Sequence, residues 1–444
     1  MTPDVVLHPD AERAFNARAE ALIASLAPEP SAVRRPRPAS FKPDIRTVRT
    51  IRQQDIVGEL KWNWVDNGRA ANARYCMFDN GTLGLCGDGF RALAKLAEQV
   101  QAVTALRPIL SVEYVLETLF DWLVDKKRGR AGEPAMAYLL TKSRKDVREH
   151  ETWFPVAMLH MQGNLQLGRI LFRTVDRSVL ERWASDWLAR ASGRPEAEQA
   201  NVRTMLDDLG KNLQGLAAAT ITLRAEPMRA LEVGLKEAEV AIALLRFFSH
   251  GALEPNIASY CAVLGKEHLQ SITYLSVEEG LLRSVMHTAV DNAPLPWDVD
   301  RNQLERMQPA IGRMNALLGA PKQSQFQEDL LAALLLYSRA TLMTEPIDKL
   351  VYVLTALEAM LLRNESEPIQ QNLAERLAFV VGRTISERKT IVALSRRVYT
   401  LRSAFLHHAQ RLDDTVALRQ FMFHAWCYLA TMGSSRVCVD SLMG

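Results

Sequence analysis

Apolar residues recur at helical spacing through most of the second half of the chain, but only in patches through the first. In AEPMRALEVGLKEAEVAIALLRFFSHG (225–251) they return every three or four positions, and Gly251 stands where a helix would close. Further helices are predicted at about 324–343, 346–363, 369–382 and 386–408, with a fifth at 413–432. Their punctuation agrees. Pro346 and Pro368 lie at first-turn positions, Gly382 closes a helix, Ser386 with Glu387 opens the next, and Asp413 with Asp414 puts acids at a helix N-terminus. Short loops between amphipathic helices imply an antiparallel bundle.

The first half mixes periods. LRPILSVEYVLETLFDWLVDKK (106–127) reads as helix, whereas TWFPVAMLHMQGNLQLGRILFRTV (152–175) has two β-favouring runs around Gln162-Gly163-Asn164, a hairpin pattern. GLAAATITLRAEP (215–227) predicts a strand ended by Pro227. GTLGLCGDGF (81–90) lacks the Lys-Ser/Thr of a phosphate-binding loop and the spacing of a dinucleotide fingerprint, and reads as turns. The expected fold class is mixed. A helix plus Pro/Arg-rich linker (1–44) leads into an α/β or α+β region (45–224), then a mainly α middle (225–320) and an all-α helical bundle (321–444).

Composition narrows the setting more than the function. A chain of 444 residues predicts two or three domains, and 48% hydrophobic with 24% charged residues describes a globular protein. A net charge of +3 is too mild to announce a nucleic-acid binder without a local cluster. The five cysteines form no CxxC pair, which argues against a disulfide framework or a zinc site and fits a reducing compartment. The N-terminus has no secretory apolar core, and no run of eighteen apolar residues occurs, so a cytoplasmic protein with no membrane partner is expected.

Candidate chemistry concentrates in VYTLRSAFLHH (398–408). An arginine and a histidine with four residues between them can cleave RNA without a metal. The imidazole moves a proton to or from the ribose 2′-hydroxyl or the leaving oxygen, and the guanidinium offsets charge growing on the phosphate. Spacing alone is weak, because roughly 0.8 chance matches arise for each allowed spacing. Arg144 with His150 and Arg419 with His424 also qualify, the latter in an apolar stretch that suggests a hydrogen-bonded core histidine. Context favours Arg402 and His407. Arg383, Arg388, Lys389, Arg396, Arg397 and Arg402 face a single acid, Glu387, a local net of +5 that suits RNA. At 100° per residue, Arg402 and His407 point roughly 140° apart on one helix. Ser403 and His407 share a face, with Tyr399 one turn back, so a second copy of the chain is the economical source of the opposing arginine.

At these residues the chain resembles the HEPN domain family, specifically its Apea-like subgroup. The resemblance rests on LVYVLTALEAMLL (350–362), NLAERLAFVVG (372–382) and VYTLRSAFLHH (398–408), and covers roughly the last quarter of the chain. It implies a helical bundle that forms a homodimer through its motif-bearing helices. It also implies a metal-independent endoribonuclease without a cofactor, of a kind that often acts in phage defence or toxin systems. Arg402 and His407 match the motif, with Ser403 at the polar position beside the arginine. Glu358 and Arg376 match recurring positions and suggest an intrabundle ion pair, while Arg388, Lys389, Arg396 and Arg397 would meet RNA. His408 stands where the subgroup often has a small or polar residue, so either histidine could work. The alternatives are a catalytically silent HEPN module for RNA or nucleotide binding and dimerisation, or a plain helical interaction protein. Residues 45–320 could receive a trigger ligand or protein.

Overall fold

The computed structural model describes residues 7–28, 61–65, 71–78, 81–265, 271–278, 281–289, 296–320, 323–362, 367–408 and 414–432. The Pro/Arg-rich linker lies outside the described residues. The described chain is mixed and mostly helical, with small sheets, and divides into two compact units, residues 1–150 with 222–233 and residues 151–221 with 234–444.

The first unit holds α1 (Pro9–Ile23), β1 (Ala27–Pro28), β2 (Lys61–Val65), β3 (Ala71–Phe78), β4 (Gly81–Cys86), α2 (Gly87–Gln101), α3 (Val112–Lys127) and α4 (Ala135–Asp146). Its antiparallel sheet runs β1-β4-β3-β2, and Phe120, Trp122 and the leucines of α2 and α3 form a buried core. GTLGLCGDGF is therefore a strand running into a helix, not a set of turns. A side chain at Gly84 would meet the Arg74 carbonyl at 2.1 Å, so a close strand approach accounts for that glycine. Ser111 caps α3 through Tyr114 N (3.1 Å). The buried Glu226 carboxylate accepts from the backbone N–H groups of Ser111 (3.0 Å), Met228 (2.7 Å) and Arg229 (2.7 Å).

Next come β5 (Arg148–Pro155), β6 (Leu159–Met161), β7 (Leu165–Leu167), β8 (Ile170–Thr174), α5 (Arg177–Ala191), α6 (Glu196–Leu213), β9 (Ala217–Ala225) and α7 (Pro227–Arg246). The sheet order is β5-β9-β8-β7. The hairpin expected at Gln162-Gly163-Asn164 forms instead between β7 and β8, around Gly168 with φ 58°. β6 pairs in parallel with β12 (Trp297–Val299). The stretch read as a mainly helical middle also carries β10 (Ser271–Glu278) and β11 (Leu281–Ala289), an antiparallel pair rich in β-branched residues. The strand predicted at 215–227 is β9, and Pro227 begins α7.

Six helices follow: α8 (Arg301–Leu318), α9 (Gln325–Ala340), α10 (Pro346–Leu361), α11 (Ile369–Val381), α12 (Ile385–His408) and α13 (Thr415–Met432). The last five match the predicted segments, and α10 packs on α9, α11, α12 and α13. Tyr337 of α9 is fully buried, its hydroxyl 2.6 Å from the Ala252 carbonyl and 3.0 Å from that of Met422. Phe247 stacks on Trp426, whose indole N–H donates to the Phe247 carbonyl (2.8 Å). The expected Ser386 cap is replaced by Thr384, which accepts from Glu387 N (3.2 Å) while the Glu387 carboxylate accepts back from Thr384 N (3.2 Å).

Candidate nucleic-acid interface

α12 is long because nothing in it breaks a helix over 24 residues, and its two faces differ sharply. Ile391, Leu394, Ser395, Val398 and Tyr399 are buried. Lys389, Arg396, Ser403 and His407 are exposed. Steps of seven, seven and four residues keep those four side chains within about 40° of one another around the axis. They form a polar stripe roughly 27 Å long at 1.5 Å per residue.

Arg402 belongs to the other side. It is half-buried, and its Nε is buried without a hydrogen-bond partner. One turn earlier Tyr399 faces inward rather than along the stripe, because the 40° drift of each four-residue step carries it off that face. Its hydroxyl donates to Glu358 of α10 (2.6 Å), and burial, then that bond and the Glu358 charge, push the phenol well above its usual range, with Arg402 opposing. The structure thus brings Tyr399, Glu358 and Arg402 together and leaves His407 on the opposite face. The side chain of His408 lies outside the described residues.

The expected Glu358–Arg376 ion pair does not form. Arg376 pairs with Glu367 (2.7 Å) and donates to the Leu361 carbonyl, because it sits where α10 ends and α11 begins. Arg388 is also committed locally, its Nε donating to the Gly382 carbonyl (3.0 Å) and its guanidinium lying over Phe379 at 5.0 Å. Arg397 pairs with Asp414 while staying largely exposed. Among the expected phosphate contacts, Lys389 and Arg396 are thus the exposed cations in line with His407.

No protein-family profile matches this chain, and no curated protein or solved structure is significantly similar to it. Its chemistry has to be read from its own residues.

The second Arg/His pair separates on inspection. Arg419 forms an ion pair with Glu254 (2.6 Å). His424 is not the satisfied core histidine expected. It is half-buried with Nδ1 lacking a partner, and burial lowers its basicity against the pull of Glu387. It lines a cavity of about 500 Å3 with Arg383, Glu387 and Cys427, whose thiol burial pushes up to about 11. A larger cavity, at the turn after β5, includes Met158, Tyr260, Trp297 and Glu345, none of which stood out in the sequence. Only Trp297 beside Pro296 in APLPW hinted at it. Among the described residues no three His, Cys, Asp or Glu side chains gather in a way that could hold a metal ion, and no helix is long and apolar enough to cross a membrane.

Proposed function

We propose that the chain is a HEPN-type metal-independent endoribonuclease whose RNA lies along the exposed face of α12 and whose active site is completed by a second copy. The observation that carries this reading is the alignment of Lys389, Arg396 and Ser403 with the imidazole of His407 on one exposed helix face. Cations spaced along a helix attract the phosphate backbone without reading sequence. An exposed imidazole at the end of that stripe can exchange a proton with a bound ribose.

In the reaction proposed, the 2′-hydroxyl gives up its proton as its oxygen attacks the adjacent phosphorus, and the 5′ oxygen departs with a proton. The products are a 2′,3′-cyclic phosphate and a 5′-hydroxyl. His407 serves as general acid or base. Arg402 of the second copy stabilises the charge on the non-bridging oxygens, since the Arg402 on the same helix points away. That same divergence favours a second reading if the two copies do not complete the site: a silent module that dimerises and binds RNA without cutting it.

The test is incubation of the purified chain with mixed RNA in EDTA, beside Arg402→Ala and His407→Ala. Cleavage by the wild type that both substitutions abolish is the expected result. Cleavage that persists in both variants refutes the assigned site. RNA retardation without cleavage by a dimeric wild type supports the silent module.

A further inference from the structure

A cavity of about 800 Å3 opens between the turn after β5, the segment 249–261 that follows α7, the start of β12 and the N-terminus of α10. Its size falls in the range of small-ligand sites, and its walls are held from several directions. Met158, at the turn, is the one non-glycine residue with positive φ (55°) among those described. For a side-chain-bearing residue this conformation costs roughly 1–2 kcal/mol and persists only where the surroundings dictate it. Here the Met158 carbonyl accepts from the Trp297 backbone N–H (2.9 Å) and the Cys261 thiol (3.7 Å), tying two walls together. The wall 249–261 is fixed again by Ser259 N donating to the Thr341 carbonyl (2.7 Å). The Lys349 ammonium gathers the carbonyls of Gly251, Glu254 and Ile257. The cavity is therefore preformed.

The lining selects its ligand. Trp297 and Tyr260 supply aromatic surface that suits a planar ring, and Asn256 and Ser259 supply neutral polar groups. Among the described residues the lining holds no lysine or arginine and a single imidazole, His250, and the donors of Lys349 are taken by carbonyls, so no fixed cation there calls for a phosphate. Among the described residues the one carboxylate in the lining is Glu345. It sits at the N-cap of α10, is exposed, and makes no side-chain capping bond, which leaves both oxygens to accept from a ligand.

A planar ligand matched to a carboxylate needs two adjacent donors on one edge. Among the nucleobases, guanine presents N1–H beside its N2 amino group. Adenine and cytosine place an acceptor next to their amino group, and uracil flanks its single N–H with two carbonyls. We propose that this cavity receives a guanine base, with Glu345 accepting from its Watson–Crick edge and Trp297 and Tyr260 enclosing its rings. The base is supplied either as a free nucleoside or as an unstacked residue of single-stranded RNA, which proteins read in this manner. Base recognition itself does not depend on the ribonuclease reading; only the RNA source does.

Calorimetric titration of the full chain with guanosine, inosine and adenosine tests this, beside a short single-stranded RNA containing one guanine and its adenine counterpart. Both oligonucleotides carry 2′-O-methyl groups so that they cannot be cut through the 2′-hydroxyl. Guanine-bearing ligand is expected to bind, with inosine, which lacks one donor, at least about ten-fold weaker and adenosine weaker still. Glu345→Gln, which turns an amide donor toward the guanine donors, should cost at least about ten-fold in affinity. A thermal melt shows whether that variant, altered at an exposed position, is still folded. An oligonucleotide that outcompetes guanosine and depends on Glu345 identifies RNA as the source, and one that binds no better identifies the free nucleoside. Failure of both guanosine and the guanine oligonucleotide to bind at millimolar concentration overturns the proposal, as does binding indifferent to Glu345→Gln. No cleavage is measured, so neither result bears on the ribonuclease reading.

Discussion

Lys349→Met asks whether one buried ammonium holds the loop that walls the larger cavity. Lys349 is fully buried on α10, and its Nζ donates to the carbonyls of Glu254 (2.9 Å), Gly251 (3.4 Å) and Ile257. Methionine keeps the length and removes the charge. Three bonds from a charged donor contribute about 1.5–3 kcal/mol each, so losing them costs roughly 5–9 kcal/mol before any compensation. The compensation is the cost of burying the charge. Desolvation holds this ammonium down to about 8, from 10.5, against the opposing pull of Glu254. That depression corresponds to about 3 kcal/mol. The hydrogen bonds win, and a net loss of roughly 2–6 kcal/mol is expected in urea unfolding at pH 7.

The same group sets a pH dependence. Below pH 8 it is charged in folded and unfolded chains alike and contributes no slope. Between 8 and 10.5 the unfolded chain keeps a proton that the folded chain has released, so stability rises with pH, by up to about 1.4 kcal/mol per pH unit. The wild type should therefore gain on Lys349→Met above pH 8, a difference in which the other titrating groups cancel. A stability difference below about 1 kcal/mol at pH 7, or one that stays flat from pH 7 to 10, refutes the reasoning.

Three paired comparisons of variants follow from other parts of the structure. Glu226→Ala leaves three backbone N–H groups without their carboxylate and should destabilise the chain by about 3–5 kcal/mol in urea melts, with Glu226→Gln losing less. Arg396→Ala should lower the salt dependence of RNA binding by about 0.7 in log–log slope, whereas Arg388→Ala, occupied with Gly382 and Phe379, should lower the melting temperature and leave that slope unchanged. Met158→Val, which sets a β-branched residue at φ 55°, should cost about 1–3 kcal/mol by thermal denaturation, and Met158→Gly should not.

The bundle could be read from sequence because each of its helices carries its own signals. α10, predicted at 346–363 and found at Pro346–Leu361, starts on its proline, and α11 ends on Gly382. Where partners lie far apart in the chain, local pattern failed. β6 reads as half of a local hairpin, yet its partner is β12, more than 130 residues later, and no turn signal announces such a pairing. The glycines of 81–90 look like turns because a close strand approach demands the same residue as a bend does. In α12 the separation of Arg402 from His407 followed from 100° per residue alone. Which of them faces inward did not, since that depends on α10 and its Glu358. The ion pair expected between Glu358 and Arg376 failed for the same reason: opposite charges at suitable positions each found a nearer partner.

That separation makes the two-copy site testable without knowing the RNA. A single rigid α12 cannot aim Arg402 and His407 at one phosphate, so if cleavage needs both, they come from different chains. Arg402→Ala and His407→Ala are then each inactive alone. Mixed by co-unfolding and refolding, they pair at random, and half of the dimers carry one chain of each kind. In such a dimer one site unites the intact Arg402 with the intact His407 and the other has neither, so about a quarter of the wild-type rate returns. A site built within one chain predicts no recovery at any mixing ratio. The assay needs only a labelled RNA and size-exclusion confirmation that the mixed material is dimeric. Dimeric mixtures that stay inactive would refute the shared site and leave α12 as a binding surface.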